Sequence, residues 1–201
     1  MVNVKINRHT DIIKRKVTLC GTKDIMFDRY AGDNNTKLEP NQKLYLQPTE
    51  NGPPVIGLPA ANIMSFLSAH NTNSAPKRLR DKRKYKDIAN ACLSFVEIEE
   101  SFIPFLRDEK PIKFGKFEKD LDQTSGCYIH RSVARLDKGI PNPKERPVLP
   151  MDWKLEFTLK LYPNKEIQEQ EILNLFEEGG RALGIGTFRG LYGKFIVNSW
   201  E

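Results

Sequence analysis

The stretch Trp153-Lys154-Leu155-Glu156-Phe157-Thr158-Leu159-Lys160-Leu161 alternates apolar and polar side chains without a break. Successive side chains of a β-strand point to opposite faces, so a period of two makes this a strand with one face on a core and one toward water. Just beyond it, Asn164 is placed to cap a helix whose apolar positions are Ile167, Ile172, Leu173, Leu175 and Phe176. Gly179-Gly180 can end that helix, and Lys194-Phe195-Ile196-Val197 reads as a last strand. The closing unit is therefore strand, helix, glycine loop, strand.

Working toward the N-terminus, Tyr128 to Leu136 reads as a strand, while Gly139-Ile140-Pro141-Asn142-Pro143 reads as a rigid turn, with Pro147 and Pro150 keeping the chain extended. On that reading Ile140, Val148 and Leu149 have no internal strand to join and reach a neighbouring copy or partner. Ile103 to Gly126 is irregular, a hairpin excursion or long loop, and Ser94 to Ile98 reads as a strand. Tyr85, Ile88, Ala89, Cys92 and Leu93 recur at helical spacing in a helix launched after Pro76. Pro59 opens another helix, with Ile63, Phe66, Leu67 and His70 on its apolar face. Leu44 to Leu46 and Val55 to Gly57 are short strands, and Lys16 to Cys20, ended by Gly21, is the first strand. Together these units predict an α/β (α+β) chain, a ferredoxin-like or RRM-like split βαβ antiparallel sheet, as one domain over 1–201 with insertions near 28–54 and 100–127.

The composition excludes several classes. No apolar run approaches the roughly 20 residues of a membrane span, so no membrane association is expected. The start, Met1-Val2-Asn3-Val4-Lys5-Ile6-Asn7-Arg8, lacks the apolar core of a signal peptide, and a cytoplasmic location is expected. Cys20, Cys92 and Cys127 are widely spaced, and His9, His70 and His130 do not cluster with them. A metal centre, a disulfide framework and a cofactor are accordingly not expected. The net charge is +6, and Lys77-Arg78-Leu79-Arg80-Asp81-Lys82-Arg83-Lys84-Tyr85-Lys86, with seven bases and one acid, accounts for all of it. The basicity is local, as a surface for a polyanion would be, although a solvated charged face has the same composition.

Six of the 13 glycines fall between Gly179 and Phe195, around Arg181, Gly184, Gly186, Phe188, Arg189, Tyr192 and Lys194. Glycines admit left-handed backbone and close approach to an anion. Arg181, Arg189 and Lys194 supply charge for phosphates, and Phe188, Tyr192 and Phe195 offer faces on which bases stack. A close-packed structural turn is the other reading of these glycines. Gly184 and Gly186 start no dinucleotide fingerprint, because Arg189 stands where a third glycine belongs and a strand, not a helix, follows; no GxxxxGK(S/T) phosphate-binding loop occurs either. Arg189 to Val197 has a loose likeness to the RNP1 pattern of RNA-binding sheets. The nucleic-acid-binding residues expected are Lys77, Arg78, Arg80, Lys82, Arg83, Lys84 and Lys86, Arg131 and Arg135 on one strand face, and the loop residues Arg181, Gly184, Gly186, Phe188, Arg189, Tyr192 and Lys194. For catalysis the candidate is His130, with Asp120 and Asp122 in a loop, and a non-enzymatic role is favoured.

Gly184-Ile185-Gly186-Thr187-Phe188-Arg189-Gly190-Leu191-Tyr192-Gly193-Lys194-Phe195 resembles the late glycine-rich loop of the RAMP superfamily, ferredoxin-like proteins that form CRISPR effector backbones. Trp153 to Glu201 is similar to their C-terminal unit, and Val55 to Leu67 to the turn into their first helix. Ser132-Val133-Ala134-Arg135-Leu136-Asp137 and Arg146-Pro147-Val148-Leu149-Pro150 resemble uncharacterised phage and prophage proteins. The resemblance implies a phage- or mobile-element-encoded binder of single-stranded RNA or DNA, RNA preferred, in a host bacterial cytoplasm. Side-by-side homo-oligomers or CRISPR-like partner subunits are implied too. A metal-independent endoribonuclease of the same fold, and an anti-defence protein that binds a host protein or guide RNA, are the alternatives.

Overall fold

The structure, a computed structural model, describes residues 11–33, 36–68, 73–116, 126–135 and 141–201. At its centre lies β10 (Lys154–Leu161), in which Leu155, Phe157, Leu159 and Leu161 are buried and the residues between them are not. β1 (Ile13–Gly21) runs antiparallel to β10, from Ile13 opposite Leu161 to Cys20 opposite Lys154. β11 (Phe195–Trp200) lies antiparallel along the far side of β1. The other side of β10 is taken by β5 (Val96–Ile98) and β6 (Phe102–Arg107), again antiparallel. Between β5 and β6 the register steps, and the Glu100 carboxylate accepts the Thr158 amide there at 2.8 and 3.0 Å.

This order has a consequence for connectivity. β1 and β5 run the same way with β10 between them, and β10 and β11 run the same way with β1 between them. Strands of like direction need crossovers, and those are helical. The first crossover carries α1 (Ala60–Leu67), α2 (Ala75–Leu79) and α3 (Tyr85–Phe95); the second is α4 (Glu169–Ala182). Two interlocked split βαβ units are the ferredoxin-like fold. A hairpin of β3 (Leu46–Thr49) and β4 (Gly52–Pro59) widens the sheet beyond β6, and β7 (Lys110–Pro111) folds back on β6. A second antiparallel sheet has the order β2 (Ile25–Met26), β9 (Pro141–Leu149), β8 (Tyr128–Arg135).

Phe66 from α1 meets Phe176 from α4 at 5.5 Å and Phe195 from β11 at 5.7 Å. Burial of each such ring stabilises the fold by roughly 1.5–3 kcal/mol. The approach is close enough to explain Gly179-Gly180. A Cβ at Gly179 would overlap the Phe66 ring, and one at Gly180 would lie 2.6 Å from the Phe195 carbonyl oxygen.

Several expectations change here. Gly179-Gly180 do not end α4, which continues to Ala182, because tertiary packing outweighs the helix cost of glycine. Asn164 caps a turn ahead of α4: its Oδ1 accepts the amides of Glu166 and Ile167 at 2.9 and 2.8 Å. The helix expected after Pro76 is two helices. Asp81 separates them, its Oδ1 accepting the Arg83 amide at 2.8 Å while its carbonyl accepts Lys84 and Tyr85. Ser94 and Phe95, expected to open a strand, close α3 instead, and the strand starts at Val96.

The proline segment is not an arm toward a partner. It is β9, paired along β8, and Val148 and Leu149 are fully buried. The Pro147 carbonyl accepts the Phe27 amide at 2.9 Å, on the side of β9 away from β8. Residues of the same parity, Pro143 among them, turn their nitrogens to that side, so the missing N–H groups cost the β8–β9 ladder nothing. His9, His70, Asp120, Asp122 and Ile140 lie outside the described residues. Among the described residues no helix is long and apolar enough to cross a membrane.

Candidate nucleic-acid interface

The corner after β1 holds the loop that follows α4. Thr22 donates to the Lys194 carbonyl at 2.8 Å, and Gly193 donates to the Asp24 carbonyl at 2.7 Å. The Asp24 carboxylate accepts the Tyr128 hydroxyl at 2.9 Å and the Met151 amide at 3.0 Å. Trp153 Nε1 donates to the Lys23 carbonyl at 2.9 Å. One short turn thus ties together the glycine loop, β8 and the segment entering β10.

Within the loop, Gly184, Gly186, Gly190 and Gly193 all have positive φ. Three are also spatially compelled, Gly186 among them, where a Cβ would lie 2.8 Å from the Met26 carbonyl oxygen. A Cβ at Gly193 would fall inside the Ile185 carbonyl, and one at Gly184 would lie 2.5 Å from the Gly193 carbonyl oxygen. Most loop amides are spent internally: Ile185 on Gly193, Thr187 on Met26, Gly190 on Leu183 and Tyr192 on Phe188. The glycines build a rigid frame, and what the frame presents is side chains.

Chief among these is Phe188. Its φ is +55° and it is 55% exposed, and it stacks on Tyr192 at 6.1 Å with an interplanar angle of 27°. Left-handed backbone at a bulky residue costs about 1–2 kcal/mol, and such strain gathers at functional positions. Tyr192 in turn meets the His130 ring at 5.8 Å, with its hydroxyl 3.5 Å from Nδ1. Burial raises the Tyr192 pKa, assisted by the charge of Asp24. Leu191, 65% exposed, sits beside them.

Arg189 is half-buried. Its Nε donates to the Gly186 carbonyl at 3.3 Å and its Nη1 to the Asn73 carbonyl at 3.0 Å, and burial lowers its pKa. Asn73 lies two residues before α2, so this bond joins the glycine loop to the start of the basic run. α2, which carries Lys77 and Arg78, packs on α4, which carries Arg181 in its last turn. All three are exposed, as are Lys82, Arg83, Lys84 and Lys86.

Arg80 stands apart from its neighbours. Its Nε donates to Glu171 at 2.6 Å and its terminal nitrogens to Glu178 at 2.8 and 3.1 Å, a clamp between α2 and α4. Those hydrogen bonds raise its pKa. Arg131 donates to Glu145 across the β8–β9 ladder at 2.8 Å, Arg135 ends β8, and Lys194 is half-buried beside β11.

The likeness to RNP1 does not extend to geometry. Phe195 is fully buried, and β11 is the outermost strand of its sheet. On the face of the sheet away from the helices, Lys160 pairs with Glu97 and Glu99, and Lys154 with Glu109. Tyr162 donates to Glu97 there, lowering the carboxyl's pKa.

A cleft of about 750 Å³ opens beside Tyr192, lined by Lys23, Asp24, Arg107, Tyr128, Met151 and Leu191 among others. None of these six is among the site residues expected from the sequence. Their partners are distant in sequence, 104 residues between Tyr128 and Asp24 and 44 between Arg107 and Met151, and no local pattern encodes that. Burial pushes the Tyr128 pKa up, as does its bond to Asp24. Among the described residues, no group of three or more His, Cys, Asp and Glu side chains is arranged to hold a metal ion.

No family model matches the chain, and no curated protein matches it. Its architecture is similar to that of a chain in a cryo-EM structure of the Type III-B Cmr-beta bound to cognate target RNA. The TM-score is 0.53 at 10% identity, over 94% of this chain and 60% of that one, so this protein has the fold of a large part of that chain.

Proposed function

We propose that the protein is a non-enzymatic binder of single-stranded nucleic acid, RNA in preference to DNA, related to the RAMP proteins of CRISPR effectors and encoded by a phage or mobile element. The observation that carries the reading is Phe188, an aromatic ring held in solvent on strained backbone and stacked on Tyr192. Solvent-facing rings on a rigid frame are what unpaired bases stack on, and stacking tolerates any sequence. In this reading the exposed Lys77, Arg78 and Arg181 supply phosphate contacts, and Lys82, Arg83, Lys84 and Lys86, exposed as well, extend them along the same run. The similar chain comes from a structure bound to target RNA, which agrees with an RNA partner and with assembly beside other subunits.

Arg80 and Arg189 have partners within the protein and act in this reading as supports. The test is whether the purified protein carries nucleic acid. A co-purifying species removed by a single-strand-specific RNase supports the reading. A preparation with the absorbance ratio of pure protein, binding no added strand, sinks it. The closeness of His130 to Tyr192 motivates the endoribonuclease alternative, which requires strand cleavage that His130→Ala abolishes.

A further inference from the structure

The cleft beside Tyr192 combines features that a site for the sugar-phosphate backbone does not need. Its walls include the rings of Tyr128 and Tyr192 and the apolar side chains of Leu191 and Met151, the latter two 65% and 45% exposed. Exposed apolar groups gathered at one concavity mark a binding surface. Its volume, about 750 Å³, falls in the range of small-ligand sites. The Asp24 carboxylate also lines it, held in place by the Tyr128 hydroxyl and the Met151 amide.

A carboxylate repels phosphate. It does accept hydrogen bonds from amino groups, and with two oxygens it keeps acceptor capacity beyond the two donors already present. A flat ring with an amino edge satisfies both the apolar walls and Asp24. Lys23 and Arg107, also in the lining, keep the site from being net acidic and so tolerate the charged strand outside it.

We propose that this cleft receives one unstacked base of the bound single strand and selects bases with an exocyclic amino group over uracil, Asp24 accepting the amino hydrogen. The inference rests on the single-strand reading above and adds a base-selective site to it. Carboxylate recognition of the cytosine amino group is a known mode of base readout.

Cytosine and uracil have the same ring size and differ at the amino position, so equal-length oligo(C) and oligo(U) are the probes, with binding followed by fluorescence anisotropy. The wild type is expected to favour oligo(C) by about tenfold, within the usual worth of one base contact. Leu191→Asp changes an exposed side chain and leaves the fold intact. It should weaken oligo(C) binding by about tenfold or more and erase the preference. Asp24→Asn should erase the preference while sparing oligo(U). Lys82→Ala should weaken both oligonucleotides equally.

Equal wild-type affinity for the two strands overturns the proposal. So does an unaltered Kd in Leu191→Asp, which would instead leave the cleft to a protein side chain. If the wild type binds neither oligonucleotide, the single-strand reading itself fails and this inference falls with it.

Discussion

Phe188 allows stability and binding to be separated by two substitutions at one position. Removing the ring in Phe188→Ala or Phe188→Gly deletes the same stacked contact with Tyr192, so the difference between the two variants isolates the backbone. At an ordinary position glycine is less stable than alanine by roughly 0.5–1 kcal/mol. At φ +55° the alanine carries a left-handed penalty of about 1–2 kcal/mol that glycine escapes. The balance favours glycine, and Phe188→Gly should be the more stable of the pair by about 0.5–1 kcal/mol in urea denaturation. Both should lose about 1–3 kcal/mol of affinity for single-stranded RNA, a 5- to 150-fold rise in Kd. A glycine variant clearly less stable than the alanine variant would refute the strain. Unchanged affinity in both would refute the platform.

Other outcomes follow from the same contacts. Lys82→Ala or Arg83→Ala should lower the slope of log affinity against log salt by about 0.7, whereas Arg80→Ala should cost about 1–3 kcal/mol in denaturation because it leaves Glu171 and Glu178 without their clamp. Gly193→Ala should destabilise the protein by more than about 2 kcal/mol, since its Cβ would meet the Ile185 carbonyl; Gly190→Ala, with open space around it, should cost only the left-handed penalty. Burial pushes the Cys92 and Cys127 thiols up to about 12, so the folded protein holds those protons after the unfolded chain has released them. Stability should therefore be full below pH ~9 and fall between pH ~9 and ~12. Cys127→Ala should flatten that fall by about one proton, roughly 1.4 kcal/mol per pH unit, in urea titrations.

The legible parts of this fold are those whose signal is local. The alternation from Trp153 to Leu161 leads directly to a strand buried on one face, and the strand–helix–strand order around it leads to the split βαβ arrangement. What local patterns miss depends on approach from a distance. Gly179-Gly180 look like a helix end until Phe66 and Phe195 are seen to require their missing side chains. The prolines of β9 look like a turn because nothing in the sequence shows which edge their nitrogens face. Asp81 was a readable signal: a lone acid within a basic run that starts a helix by accepting amides. In the site, the glycine loop and the basic run were legible as separate motifs. Their joining through Arg189 and Asn73, the spending of Arg80 on two glutamates and the corner at Asp24 were not, since each spans distant parts of the chain.

The central proposal is that the stacked pair Phe188 and Tyr192, together with the exposed basic run, binds single strands. Its most direct test is anisotropy of one labelled RNA, presented single-stranded and then annealed to its complement, with wild type and the Phe188→Ala/Tyr192→Ala double variant. The account predicts that the wild type binds the single strand in a salt-sensitive manner and the duplex much more weakly, because paired bases have no free face to stack. The double variant should lose that discrimination along with most of its affinity. Equal wild-type binding of strand and duplex, or a double variant that binds the strand as the wild type does, would contradict it.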